Sequence, residues 1–406
     1  MLRPQTEADP QALLVTILAA FGNCIGRGPG FRVEGDFHAT NINAIVLGAT
    51  SKGRKGTSWG RVRELFRLVD EDWARERVVG GLSSGEGLLT PVRDAVWKTV
   101  AVKEKGKPTG EYVDEVDDPG VDDKRLFVME GELAQGLKAM RREGNTLSAI
   151  VRNLWDQGDA GSLTKSSITK TTGSMVSILG HTSLGELRRE LTETQAANGF
   201  ANRFLFVCAK RSNILPDGGN ADEGELRQFA RLLTAARDQA RTVTFLARDF
   251  QASELWREVY PGLSAGKPGL LGAATGRAEA QTMRLAVLYA LLDGKATIEH
   301  AHLRSALALW CYCERSARYV FGDSLGDPVA DEILEELRQA GPDGLTRTQI
   351  HEVFKRHKSA TRIDLALREL QVSGLAVGVK ESTGGRPSDR WHACEVSEES
   401  EERSAA

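Results

Sequence analysis

The stretch that most constrains this chain is residues 48–58, GATSKGRKGTS. It follows the apolar run Ala44-Ile45-Val46-Leu47 and precedes residues 62–69, where Val, Leu and Phe recur at helical spacing. An apolar strand, a glycine-bearing loop and a helix, in that order, let backbone N–H groups converge on phosphate oxygens. The helix N-terminus adds positive potential, and a lysine supplies a mobile charge. The usual spacing is Gly, four residues, Gly-Lys, then Ser or Thr. Gly48 and Gly53 keep that separation, Arg54 stands before Lys55, and Gly56 separates Lys55 from Thr57 and Ser58. Gly48, Ser51, Gly53, Arg54, Lys55, Gly56, Thr57 and Ser58 are the candidate phosphate-binding set. Read alone, the segment also fits a basic, Gly-rich surface turn.

A chain of 406 residues has room for one large core and a small satellite domain. Its net charge of -3 carries no global polyanion-binding signature, so any nucleic-acid surface must be local. No apolar run is long enough to cross a bilayer, and the apolar run near the N-terminus follows Glu7 and Asp9, so neither a membrane span nor a signal peptide is expected. Cys24, Cys208, Cys311, Cys313 and Cys394 are scattered. The pair 311 and 313, two residues apart in a helical run, points to different faces, so reduced thiols in a cytoplasmic protein are expected rather than a metal site.

Along the chain, residues 10–21 read as an amphipathic helix followed by a Gly-rich connector through Gly35. The apolar run 78–82 ends in SSGEG, where glycines suit a strand end that holds the Glu86 carboxylate in a cleft. Residues 102–124 are polar, a surface loop or hairpin. Residues 126–129 form a buried strand that runs into Glu130 and Glu132. Acids there can organise Mg²⁺ or polarise water, or simply solvate a strand exit. Residues 133–142 and 146–155 read as helices. The Ser/Thr/Lys segment 163–174, with Lys165 and Lys170, can track a nucleic-acid backbone or form a solvated hairpin. Residues 176–182 form a strand ending in polar groups, where His181 either bonds a phosphate oxygen or is merely exposed. Arg203, before the strand 204–208, is a finger toward a neighbour's nucleotide or a salt-bridged edge residue. Helices at 222–240 and 248–260 flank a short strand at 243–246, and 277–292 with 302–321 form a buried helical pair read as core without chemistry.

A Gly/Asp/Pro connector at 322–328 marks a boundary. Beyond it, helices at 329–340, 349–357 and 359–371 and strands at 375–380 and 390–393 give a winged-helix arrangement. Between Thr346 and His392 nine Lys and Arg stand against five acids. Arg362 and Arg368 on the third helix and Arg386 on the wing are the candidate DNA contacts, mostly to phosphates. A surface for protein contacts is the competing reading. The acidic tail 395–406 reads as disordered.

The ordered set TSKGRKGTS, GLSSGEGL, a strand ending in EGE, NTLSAIVRNLWD, ILGHTS, NGFANRFL and RAEAQTMRLAVLYALLDG spans residues 10–325. It resembles a family of phage, plasmid and mobile-element proteins, similar to the RecA-like ATPases and, more distantly, to the RepA-type hexameric replicative helicases. The resemblance implies an α/β fold. A RecA-like P-loop NTPase core at 41–250 would follow an N-terminal helical segment at 1–40 and precede a helical extension at 251–325, with a winged-helix domain at 326–394. It implies ATP and Mg²⁺ as cofactors, with Lys55 and Thr57 or Ser58 in the phosphate-loop positions. Glu86 would activate the attacking water, Thr57 with Glu130 or Glu132 would hold the metal, and His181 would sense the γ-phosphate. Arg203 would reach across a subunit boundary. The implied partners are single- or double-stranded DNA and further copies of the chain, a hexamer among the ring sizes. A glutamate stands where the family's metal-organising acid is commonly an aspartate. The expectation is a cytoplasmic, helicase-like ATPase serving replication or maintenance of a mobile element. Its rival is a non-hydrolysing winged-helix DNA-binding regulator with a degenerate nucleotide fold.

Overall fold

The computed structural model describes residues 6–48, 55–104, 107–163, 168–191, 195, 198–219, 222–322, 325, 327–355, 357–381 and 388–394, with the backbone alone at 55, 107, 163, 168, 381 and 388. Two units are distinguished, Met1–Ala265 with Ala274–Val320, and Gly266–Ala273 with Phe321–Ala406.

The first unit is mixed α/β around one parallel sheet. Its strands are β1 (Asn43–Gly48), β2 (Val78–Val79), β3 (Arg125–Glu130), β4 (Met175–Ser183) and β5 (Phe204–Ala209), in spatial order β5-β1-β4-β3-β2. The apolar run of β1 does not alternate with polar residues, because a parallel sheet is covered on both faces; all six of its residues are buried. Helix α1 (Pro10–Ile25) shares a core with alternate residues of the sheet, Ala44, Val46, Phe127, Leu179, Leu205 and Val207. Asp9 starts that helix by accepting the Gln11 and Ala12 N–H groups at 2.9 and 3.3 Å, with Pro10 in the first turn. Helix α2 (Lys55–Val69) follows β1 and leads into α3 (Glu71–Glu76). On the other face, Gly180 of β4 lies under Leu133, the first residue of α5 (Leu133–Met140). A Cβ at Gly180 would meet the Leu133 side chain at 2.6 Å, so the close approach of helix to strand requires glycine there.

Several elements differ from the sequence reading. The connector before β1 contains a hairpin, Gly30–Val33 with Asp36–Ala39. The short strand expected at 243–246 lies at Ala247–Arg248, where Thr297–Ile298 supplies a partner. Of the two readings of residues 102–124, the hairpin is present, Val96–Glu104 with Lys107–Asp118, and it ends before Pro119. The buried helical pair is present as Ala278–Leu292 and His300–Phe321. All five cysteines are free thiols; burial first, then the Asp70 charge, pushes the Cys24 thiol up to about 12. No helix among the described residues is long and apolar enough to cross a membrane.

Two polar pins tie α1 and α3 to the amino ends of the strands. Asn23 donates to Leu126 O at 2.9 Å and Met175 O at 2.7 Å and accepts from Trp73 Nε1 at 2.8 Å, so one buried amide joins β3, β4 and α3. Asp70 caps α3 by accepting the Trp73 N–H at 3.0 Å. It also pairs with Arg125 at 3.0 Å and Arg241 at 2.9 Å.

The second unit packs helices Pro328–Ala340, Arg347–Val353 and Ala360–Val372 around Ile333, Leu337, Ile350, Ile363 and Leu367. A three-stranded antiparallel sheet completes it, with Ser388–Ala393 between Leu345–Thr346 and Ala376–Glu381. The strand at 345–346 is not apparent from sequence, because two residues carry no alternation.

Burial works to raise the Asp70 carboxyl, but the Trp73 N–H and the Arg125 and Arg241 guanidinia outweigh it and hold it down to about 2 from an ordinary 3.8. A depressed carboxyl stabilises the fold above its ordinary value and stops doing so as pH falls through its folded value. Asp70→Asn is expected to lower unfolding free energy by about 2 kcal/mol at neutral pH, with the deficit shrinking between about pH 4 and pH 2. Urea unfolding at several pH values measures it, and a deficit that stays constant with pH would refute the ionic account.

Candidate functional site

Parallel strands place all their carboxyl ends on one edge. Register fixes which residues share it: Gly48 stands opposite Ser183 and Ala209, and Glu130 stands opposite Gly180. β1 leads away to the far edge strand β2, whereas β2, β3 and β4 each lead back the other way. The carboxyl end of β1 is therefore the point where the connections reverse direction, and crevices for ligands open at such points.

Of the phosphate-loop set, Gly48 ends β1, whereas Ser51, Gly53 and Arg54 lie outside the described residues, as does the Lys55 side chain. Lys55 itself begins α2, and Gly56 is in the helix's first turn. Thr57 lines an open cleft of about 360 Å³ with Thr6, Glu7, Arg61 and Gly218, while Ser58 is fully buried. Of the two hydroxyl residues weighed as a metal ligand, Thr57 lines the cleft, but Glu86, Glu130 and Glu132 do not.

Glu86 is not at a strand end. It is the second residue of α4 (Gly85–Leu89), a one-turn helix started by Ser84, whose hydroxyl accepts the Gly87 N–H at 3.0 Å. The Glu86 Oε1 atom accepts from Ser162 Oγ at 2.9 Å and Thr146 Oγ1 at 3.1 Å. Its own backbone N–H first, then the Ser162 hydroxyl, hold this carboxyl below the usual range.

Glu130 ends β3 and reaches sideways. Its Oε1 accepts the Gly81 and Leu82 N–H groups, each at 2.6 Å, fastening the loop after β2 to the end of β3. Glu132 is exposed and accepts from Gln135 at 3.0 Å. No group of three or more His, Cys, Asp and Glu gathers in metal-binding geometry among the described residues.

His181 is not at the tip of its strand. Pairing with β1 continues through Thr182 and Ser183, so β4 runs two residues further and His181 is buried at 1% exposure opposite Val46. It shares the α1 face of the sheet with Leu179, because alternate residues share a face.

Arg203 takes the second of its two readings. It immediately precedes β5, at the opposite edge of the sheet from Gly48, and is 7% exposed. It pairs with Asp156 at 2.6 Å and donates to Gly199 O at 2.6 Å. Burial lowers its pKa, partly offset by Asp156.

Around that pair lies a cluster the sequence reading missed. Arg277 reaches Asp156 at 3.6 Å, and Arg284, fully buried, lies against one face of the Trp155 ring, 3.7 Å from its centre. Arg284 also donates to Asn41 O at 2.6 Å and Trp155 O at 2.9 Å. Burial, then the Arg27 charge, lowers it to about 9. The helical pair read as plain core therefore carries a buried cation. The available signal was an arginine inside an otherwise apolar run, MRLAVLYALL, together with the Trp155-Asp156 pair.

In the second unit Arg362 donates to both carboxylate oxygens of Asp327, which itself starts the helix Pro328–Ala340 by accepting the Val329 and Ala330 N–H groups. Arg347 likewise pairs with Asp364, and Arg390 donates to Asp343 O at 2.9 Å. Arg368 is exposed, and Arg386 lies outside the described residues. No protein-family model and no curated protein sequence matches the chain.

Asp156→Ala is expected to lower stability by about 3 kcal/mol, because it leaves the buried Arg203 without its counter-charge. Thermal or urea unfolding reads the loss, and a wild-type midpoint would show that the cluster is not held by that ion pair.

Proposed function

We propose that the first unit is a RecA-like P-loop ATPase and that the C-terminal unit is a winged helix that engages DNA. One observation carries the reading. The glycine loop follows β1 where the strand connections reverse, Glu130 ends β3 on that same edge, and Glu86 lies in the short helix that comes next after β2. This is the relative placement that the resemblance to RecA-like enzymes requires of a phosphate loop, a water-activating acid and a metal-organising acid.

The residue types suit a magnesium nucleotide. Mg²⁺ takes oxygen ligands and keeps several waters, so the Thr57 hydroxyl and a carboxylate from Glu130 or Glu132 are of the right kind. When bound, the ion supplies charge neutralisation at the phosphates. Lys55 and the first N–H groups of α2 hold the phosphates, and Glu86 takes the proton of the attacking water. His181, two residues short of the β4 end, is assigned to support that edge from within the sheet. Arg203 is assigned to the amino-edge ion pair. Action on the DNA of a mobile element as a homo-oligomer follows from the same resemblance.

The test is phosphate release with Mg-ATP, with and without DNA. Lys55→Ala is expected to abolish nucleotide binding, and Glu86→Gln to keep binding while lowering turnover by about 10²-fold or more. Turnover in Glu86→Gln equal to wild type would remove Glu86 from the reaction. The second reading, a non-hydrolysing DNA-binding regulator, draws on Gly56 between Lys55 and Thr57 and on the engagement of Glu130 with two backbone N–H groups. Nucleotide binding without any release above Lys55→Ala would select it.

For the C-terminal unit, Arg368→Ala is expected to weaken duplex binding about equally across sequences and to reduce the salt slope by about 1. Arg362→Ala is expected to lower the stability of the unit, since it uncouples Asp327. Unchanged duplex affinity in Arg368→Ala at low salt would argue that this face does not meet phosphates.

A further inference from the structure

Glu86 is held by residues remote from it in sequence. The Oε1 atom receives the Ser162 hydroxyl at 2.9 Å and the Thr146 hydroxyl at 3.1 Å. Thr146 immediately precedes helix α6 (Leu147–Asp156), and Ser162 lies on the hairpin strand Ala160–Leu163. The loop carrying Glu86 is sewn to the same place by two further contacts. Asn145 Nδ2 donates to Ser83 O at 3.0 Å. A Cβ at Gly85 would stand 2.3 Å from Thr146 Oγ1 and 2.7 Å from the Ile150 side chain, so α4 sits against the turn before α6 only because residue 85 is glycine.

Two hydroxyl donors on one carboxylate oxygen do more than fasten a helix. They fix the rotation of the carboxylate, and they favour its charged form. Here the depression of the Glu86 carboxyl has the Ser162 hydroxyl as a principal cause after the residue's own N–H, with Thr146 adding to it.

We infer that Thr146 and Ser162 are positioning residues for the hydrolytic step: their hydroxyls hold Oε1 of Glu86 and thereby aim Oε2 at the attacking water. The inference rests on the reading of Glu86 as the water-activating acid. In that step the water oxygen forms a bond to the γ-phosphorus, and the bond from phosphorus to the β–γ bridging oxygen breaks. ADP leaves with that electron pair, and the water's proton passes to Oε2. Losing the two donors frees the carboxylate to rotate and makes it more basic, so it stays protonated to higher pH.

Phosphate release by the full-length protein, followed against pH, tests this with wild type, Glu86→Gln, the double variant Thr146→Val with Ser162→Ala, and the conservative variants Thr146→Ser and Ser162→Thr. The double variant is expected to lose about tenfold in kcat with KM for ATP within about twofold, and its acid limb is expected to move to higher pH. The conservative variants, which keep a hydroxyl, are expected to restore both. Thermal melting shows that each variant is folded at the assay temperature, and the single variants replace the double one if it is not. Where Glu86→Gln is inactive but the double variant keeps the wild-type kcat and acid limb, the inference is overturned while the ATPase reading stands. Loss of kcat with no movement of the acid limb also overturns it, leaving Thr146 and Ser162 as scaffolding. Turnover in Glu86→Gln equal to wild type, or wild-type release no greater than that of Lys55→Ala, overturns the ATPase reading and the inference with it.

Discussion

The constraint on which the first unit depends is that a parallel sheet must be buried on both faces. Each connection between parallel strands has to cross a face of the sheet, so helices cover both sides and every strand ends on the same edge. The run of four apolar residues before Gly48 makes sense only in that setting. So does Gly180, where a helix approaches the sheet too closely for any Cβ. Once both faces are filled, the two edges are what remain for polar groups.

The two edges are used differently. At the amino edge, polar side chains serve the fold: Asn23 bridges β3 and β4, Asp70 faces Arg125 at the start of β3, and Arg203 with Asp156 sits where β5 begins. Arg284 and Asn41 extend the same layer under Trp155. These groups are polar or charged and wholly or partly buried, and their worth depends on each keeping its partner. At the carboxyl edge, by contrast, the carboxylates of Glu86 and Glu130 take their hydrogen bonds from loop N–H groups and short hydroxyl side chains. Those contacts fix the rotation of each carboxylate, and at Glu86 they favour its charged form.

The same distinction between counting charges and following their partners applies to the C-terminal unit. Its excess of Lys and Arg is plain from sequence. Arg362 and Arg347, however, are engaged with Asp327 and Asp364, and Arg362 thereby steadies the start of a helix. A guanidinium on the third helix looks identical in sequence whether it meets a phosphate or an internal carboxylate. Exposed Arg368 differs from Arg362 only through what the fold brings near it.

The sequence by itself determined the buried strands and the helix that follows β1. It also determined the placement of Glu130 at the end of a strand and the three helices of the second unit. All of these rest on local patterns such as apolar runs, helical spacing, capping residues and glycines, which persist whatever the rest of the chain does. Only the tertiary structure decided that β4 pairs with β1 for two residues beyond His181, because strand length is set by the neighbour's backbone. It alone turned Arg203 inward to Asp156, placed Arg284 beneath Trp155, and brought Thr146 and Ser162 to Glu86. Each of those outcomes joins residues far apart in the chain, and an isolated hydroxyl or guanidinium carries no mark of the partner that folding will bring to it.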